Sequence, residues 1–252
     1  MVKGLDIFRR HFRDYADRYV LIGGTACDIA MTGVGLSFRA TKDIDMVLCA
    51  EALDVAFVRA FWGFVHAGGY RIQEQSTGQR QFYRFQKPAD ANYPFMLELF
   101  SRRPDVLQLA AGSHLTPLPM EEDVSSLSAI LMDIDYYGFI QAGRQVVEGL
   151  PVVGPAQLIT LKARAWLDLT RREQSGEKID SKMIKKHKND VFRLFQILDP
   201  TTDPAAPAAI KKGLNDFIAQ MRGEDIDLKA LGFRKGTRED VLTELARVYH
   251  LG

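Results

Sequence analysis

Residues 19–48 read YVLIGGTACDIAMTGVGLSFRATKDIDMVL, and the changes of pattern within them decide the fold. Tyr19-Val20-Leu21-Ile22 is a short apolar run suited to a buried strand, and Gly23-Gly24 stops it. A short helix is expected from Thr25 to Met31, ending near Gly33 or Gly35. A strand that runs through glycines into a helix offers free backbone N–H groups and a positive helix end, a ready seat for phosphate. Thr25 adds a hydroxyl. The pattern then returns to period two over Ile44–Cys49. Asp43 and Asp45 stand two residues apart there and share one face, while Ile44, Met46 and Leu48 point the other way. Two adjacent carboxylates repel each other unless a cation neutralises them, and hard oxygen donors suit Mg²⁺.

The chain supplies its own controls for that motif. Asp-Ile-Asp recurs at Asp133–Asp135 and at Asp225–Asp227, without a glycine turn upstream, and both copies read as solvated or capping acids. Only the first follows a strand–Gly-Gly–helix unit, and only it is preceded by Arg39, Thr41 and Lys42.

Working outward, Leu5, Phe8, Phe12 and Tyr15 recur at helical spacing, and Glu51–Ala67 reads as a longer helix closed by Gly68-Gly69. Tyr70–Glu74, Gln81–Gln86 and Phe95–Phe100 read as successive strands. From Pro155 onward the pattern is helical, with candidates at Pro155–Arg172, Lys182–Leu198, Ala205–Met221 and Arg238–Tyr249. The fold expected is α+β: a mixed β-sheet flanked by helices over residues 1–150, then a helical domain over 151–252.

Composition agrees with this layout. The 252 residues are 46% hydrophobic and 26% charged, ordinary globular proportions that exclude collagen-like, coiled-coil and disordered classes. A net charge of +1 gives no whole-molecule field toward nucleic acid. Cys27 and Cys49 lie in apolar surroundings and read as core residues of a reducing compartment. No apolar run is long enough to span a membrane, and the charged N-terminal segment is no secretory signal, so a cytoplasmic protein is expected. There is no Walker-type loop, nucleophile elbow or zinc spacing.

The order Gly-Gly-Thr, short helix, Arg-x-Thr-x-Asp-x-Asp resembles the signature of the DNA polymerase β-like nucleotidyltransferases, and most closely the AbiEii-type toxin branch. The matching core covers roughly residues 19–100, with further matches between about 150 and 198. The resemblance implies transfer of a nucleoside monophosphate from an NTP to an acceptor hydroxyl. Gly23, Gly24 and Thr25 would grip the triphosphate, and Asp43 and Asp45 would hold two Mg²⁺ ions, with Mn²⁺ as an alternative. A third carboxylate is due on a later strand. Glu98, set in Phe95-Met96-Leu97-Glu98-Leu99-Phe100, fits, because burying it among apolar neighbours is costly unless it is paired or metal-bound. Many relatives have Asp there.

Two anomalies stand in the helical half. Lys162 lies among Leu158, Ala165, Trp166 and Leu169, where it must snorkel, pair or meet an anion. Lys188 falls within the apolar arc of Ile184, Val191, Phe195 and Leu198, with Asp190 at its edge. The toxins carry a lysine in the first helix and a Lys-x-Asp pair in the second, so the resemblance puts Lys162, Lys188 and Asp190 at the nucleotide, with Arg39 and Lys42 offsetting its charge. Between Arg171 and Arg193 there are eight Lys/Arg against four Asp/Glu, a surplus that could meet an RNA backbone. The partners implied are an NTP, an acceptor such as tRNA, another RNA or a protein, and a cognate antitoxin. The alternatives are a small-molecule acceptor, as in aminoglycoside and lincosamide nucleotidyltransferases, or a nucleotide-binding module without turnover.

Overall fold

The computed structural model describes residues 2–49, 52, 54–76, 81–101 and 133–252. Its contacts divide the chain into two compact units. Of the described residues, the first unit takes those up to 101 together with Arg144–Val153, and the second takes those from 133 to Gly143 and Gly154–Gly252. In place of one break near 150, the chain leaves the first unit, returns for a ten-residue hairpin, and leaves again.

The first unit is a seven-stranded mixed sheet in the order β3-β4-β5-β2-β1-β7-β6. Its strands are β1 (Tyr19–Ile22), β2 (Asp43–Leu48), β3 (Arg71–Ser76), β4 (Gln81–Gln86), β5 (Met96–Ser101), β6 (Arg144–Val147) and β7 (Leu150–Val153). β2 runs antiparallel to β1 and parallel to β5, and β7 runs parallel to β1. Every residue of β1 is buried, as its unbroken apolar run requires of a central strand. Among the described residues, three α-helices belong to this unit: α1 (Leu5–Phe12), α2 (Gly23–Thr32) and α3 (Val55–Gly68). The expected helix from Glu51 starts later, because Asp54 caps it by accepting from the Phe57 N–H at 2.8 Å. Gly69, with φ of 62°, closes it in the left-handed conformation. The core between these helices and the sheet is aromatic. Phe8 and Phe12 of α1 meet Phe57, Phe61 and Phe64 of α3, with Tyr19 of β1 and Phe85 of β4 edge-on. Cys27 and Cys49 are both buried, as expected of core residues.

The β6–β7 hairpin has no counterpart in the sequence reading. Its two-residue turn, Glu148-Gly149, has positive φ at both positions (50° and 79°), which suits the twist of paired strands.

The second unit contains α4 (Ile134–Ala142), α5 (Pro155–Gln174), α6 (Ser181–Phe195), α7 (Ala208–Met221) and α8 (Arg238–Val248). Asp133 caps α4 by accepting from the Asp135 N–H, and Asp227 accepts from the Ala230 N–H, so both extra Asp-Ile-Asp copies serve local backbone. Among the described residues no helix is long and apolar enough to cross a membrane.

Candidate active site

The site is a row of paired residues running across the sheet. Ile22 of β1 pairs with Asp45 of β2, Asp45 with Glu98 of β5, and Glu98 with Arg84 of β4. Partners in register project to the same face, so Asp45, Glu98 and Arg84 stand side by side. Asp43 is two residues from Asp45 on the same face of β2.

Gly23 and Gly24 owe their identity to how closely this row approaches. The Cβ of any other residue at Gly23 would lie 1.8 Å from Asp45 Oδ2, and φ there is +65°. A Cβ at Gly24 would lie 2.5 Å from Thr41 Oγ1. The turn therefore packs its bare backbone on the carboxylate strand. The N-cap residue, Ile22, has no side chain that could cap α2, and the partial positive charge of the helix N-terminus lies beside two aspartates. Thr25 is fully buried, and its hydroxyl donates to the Asp43 carbonyl at 2.5 Å, which locks α2 to β2.

Glu98 meets opposing demands. Burial first, and then the charge and hydrogen bond of Asp45, push its carboxyl well above the ordinary carboxylate range. Arg84 pulls the other way. Its Nε and Nη2 both reach Glu98 Oε1, at 2.9 and 2.8 Å, and the two side chains are only 12% and 13% exposed. Arg84 is the site residue that sequence reasoning missed. Its signal was an arginine between Tyr83 and Phe85 in an apolar strand, but linking it to Glu98 required the β4–β5 register.

The other expected residues are placed as follows. The Arg39 guanidinium lies 4.9 Å from the centre of the Phe38 ring, and Lys42 Nζ lies 5.0 Å from that of Phe95. Lys162, Lys188 and Asp190 belong to the second unit. Lys162 Nζ lies 3.4 Å from Oδ2 of Asp190, whose Oδ1 is 3.4 Å from Arg193 Nη1. Lys188 Nζ contacts Glu224 Oε2 at 2.5 Å and the Asp225 carbonyl at 3.3 Å. Of the three readings for a lysine on an apolar face, Lys162 takes the paired one.

The chemistry of the donors fits a hard divalent cation: carboxylate oxygens only, two of them from a buried pair whose mutual repulsion a cation would relieve. Among the described residues, no three Asp, Glu, His or Cys side chains converge as a ready ligand set. The fit rests on donor type and on the Asp45–Glu98 contact.

The family described as nucleotidyl transferase AbiEii toxin, type IV toxin–antitoxin system, matches residues 6–220, and the chain belongs to it. No curated protein matches. Among solved structures, an antigenic nucleotidyltransferase-like protein from Paracoccidioides brasiliensis is 13% identical, with 97% of this chain and 94% of that one covered and a TM-score of 0.44. Cid1 in complex with its short product ApU is 12% identical, with 81% of this chain and 49% of that one covered and a TM-score of 0.29. Both are distant likenesses, and the family assignment rests on the matched residues.

Proposed function

We propose that this nucleotidyltransferase is a Mg²⁺-dependent enzyme that moves a nucleoside monophosphate from an NTP to a hydroxyl of an RNA such as tRNA. The observation that carries the proposal is the abutment of the Gly23-Gly24 turn on Asp45, with Glu98 in register on the next strand. That arrangement sets phosphate-binding N–H groups against a cluster of carboxylates, the two halves that phosphoryl chemistry needs.

The N–H groups at the start of α2 bind the β- and γ-phosphates and orient the α-phosphorus toward the acceptor. Thr25 contributes by fixing that turn to β2 through the Asp43 carbonyl. Asp43 and Asp45 would hold a divalent cation, with Glu98 beside them; when bound it neutralises the triphosphate and lowers the pKa of the attacking hydroxyl. The acceptor oxygen forms its bond to the α-phosphorus as the bond to the bridging oxygen of the β-phosphate breaks, and pyrophosphate leaves. The hydroxyl proton passes to Glu98, the carboxylate in register beside Asp45. Arg39 and Lys42 flank the start of β2 and add positive charge to this end of the sheet.

Incubation with each α-labelled NTP, Mg²⁺ and bulk tRNA tests the proposal. Label on RNA from one NTP supports it. Label only on added small-molecule aminoglycosides or lincosamides would replace the acceptor, and no label on any acceptor would end the enzymatic reading. A cognate antitoxin is the further partner that the family description implies.

A further inference from the structure

We propose that Arg84 is a positioning residue for the cation site, acting through Glu98. The inference rests on the nucleotidyl-transfer reading and deepens it. Three observations carry it. Arg84, Glu98 and Asp45 occupy consecutive positions of one register row, on β4, β5 and β2. Two nitrogens of Arg84, Nε and Nη2, converge on a single oxygen of Glu98, Oε1, so the carboxylate is gripped through one oxygen. Both side chains of the pair are nearly buried, so neither has solvent as a substitute partner.

The physical need is plain. Glu98 stands beside Asp45 in a poorly solvated place, between β2 and the arginine of β4. Left alone, the Glu98 side chain would be free to rotate away from Asp45. A guanidinium fixed on the far side holds it aimed, as outer partners do for ligands in metal sites. A lysine could supply the charge but not two donors fixed in one plane on the same oxygen.

The test is Mn²⁺ binding alone, without nucleotide, followed by calorimetry and electron paramagnetic resonance. The proteins compared are the wild type, Arg84→Met, Glu98→Gln and the double variant. Arg84→Met is expected to lose about 10- to 100-fold in Mn²⁺ affinity, the usual cost of removing an outer partner. Glu98→Gln should lose at least as much, and adding Arg84→Met to it should cost nothing further. That non-additivity is what a merely structural arginine would not show. Wild-type affinity or tighter binding in Arg84→Met would overturn the proposal. So would an equal loss in the Glu98→Gln background, or no Mn²⁺ uptake by the wild type. If Arg84→Met does not fold, Arg84→Gln takes its place in the cycle with the same expectations. A wild type that binds Mn²⁺ but labels no acceptor would end the enzymatic reading while leaving the Arg84 result standing.

Discussion

Glu98 carries the clearest consequence at the scale of single residues. A carboxyl whose pKa rises on folding holds its proton more tightly in the folded chain than in the unfolded one. Below the unfolded value near 4.5 both states are protonated and folding is not penalised; stability is then lost as pH climbs from there toward the folded value. Asp45→Asn removes the main neighbour responsible. In a chelating buffer it should unfold at higher denaturant than the wild type at pH 7, and the gain should fade as pH falls to 4.5 and below. The same variant should lose nucleotidyl transfer by about a hundredfold or more, the several kcal/mol that cation binding contributes. A gain that persisted at pH 4 would show that Asp45 does not burden Glu98. In the second unit the sign reverses. Asp190 is fully buried and pairs with both Lys162 and Arg193, so Lys162→Met takes away one of the cations that offset its charge. A loss of about 3 kcal/mol in urea unfolding is expected, and Lys162→Met with Asp190→Leu should recover most of it. These charged residues were legible in the sequence because each is an anomaly in an apolar run. Their pairings were not, since Arg84–Glu98 and Lys162–Asp190 depend on how separate elements align.

Among the elements, the start of α2 is where substitution is most tightly forbidden. Gly23→Ala would set a methyl group against Asp45 Oδ2 in a backbone conformation that costs other residues about 1–2 kcal/mol. It should destabilise the protein and displace the catalytic carboxylate, with transfer lost together with stability. Gly63 is the matched control. It lies on the exposed side of α3 with nothing within 4 Å of a built Cβ, so Gly63→Ala should stabilise by up to about 1 kcal/mol in the same thermal scan and leave transfer unchanged. Strand β1 and the helices from α5 onward were readable from sequence because their signals are local: an apolar run before two glycines, a first-turn proline, and helical spacing of apolar residues. The β6–β7 hairpin was hidden by two misleading residues. Glu148 occupies a left-handed position where Asn is usual, and Pro151 sits within a strand. Glu148→Asn should therefore relieve the turn, although it also gives up the contact of Glu148 with Arg9 at 2.9 Å.

For the molecule as a whole, membership of the toxin family makes a direct prediction. Induced expression of the wild-type chain should arrest bacterial growth, and Asp45→Asn, made in equal amount, should not. Arrest by both would separate toxicity from the carboxylate site. The α+β class and the helical second half were legible from the change of period near residue 150, whereas the return of the chain to its sheet was not, because that is a property of long-range pairing. This return has a consequence in time. Strand β1 is made early, but the neighbour that covers its outer edge, β7, ends 131 residues after β1 does. At about 5–20 residues per second the gap is on the order of ten seconds of synthesis. Through that interval a wholly apolar strand waits on the ribosome with one edge unmatched, so the growing toxin is at its most vulnerable to chaperones, proteases and its own siblings just before its catalytic sheet closes.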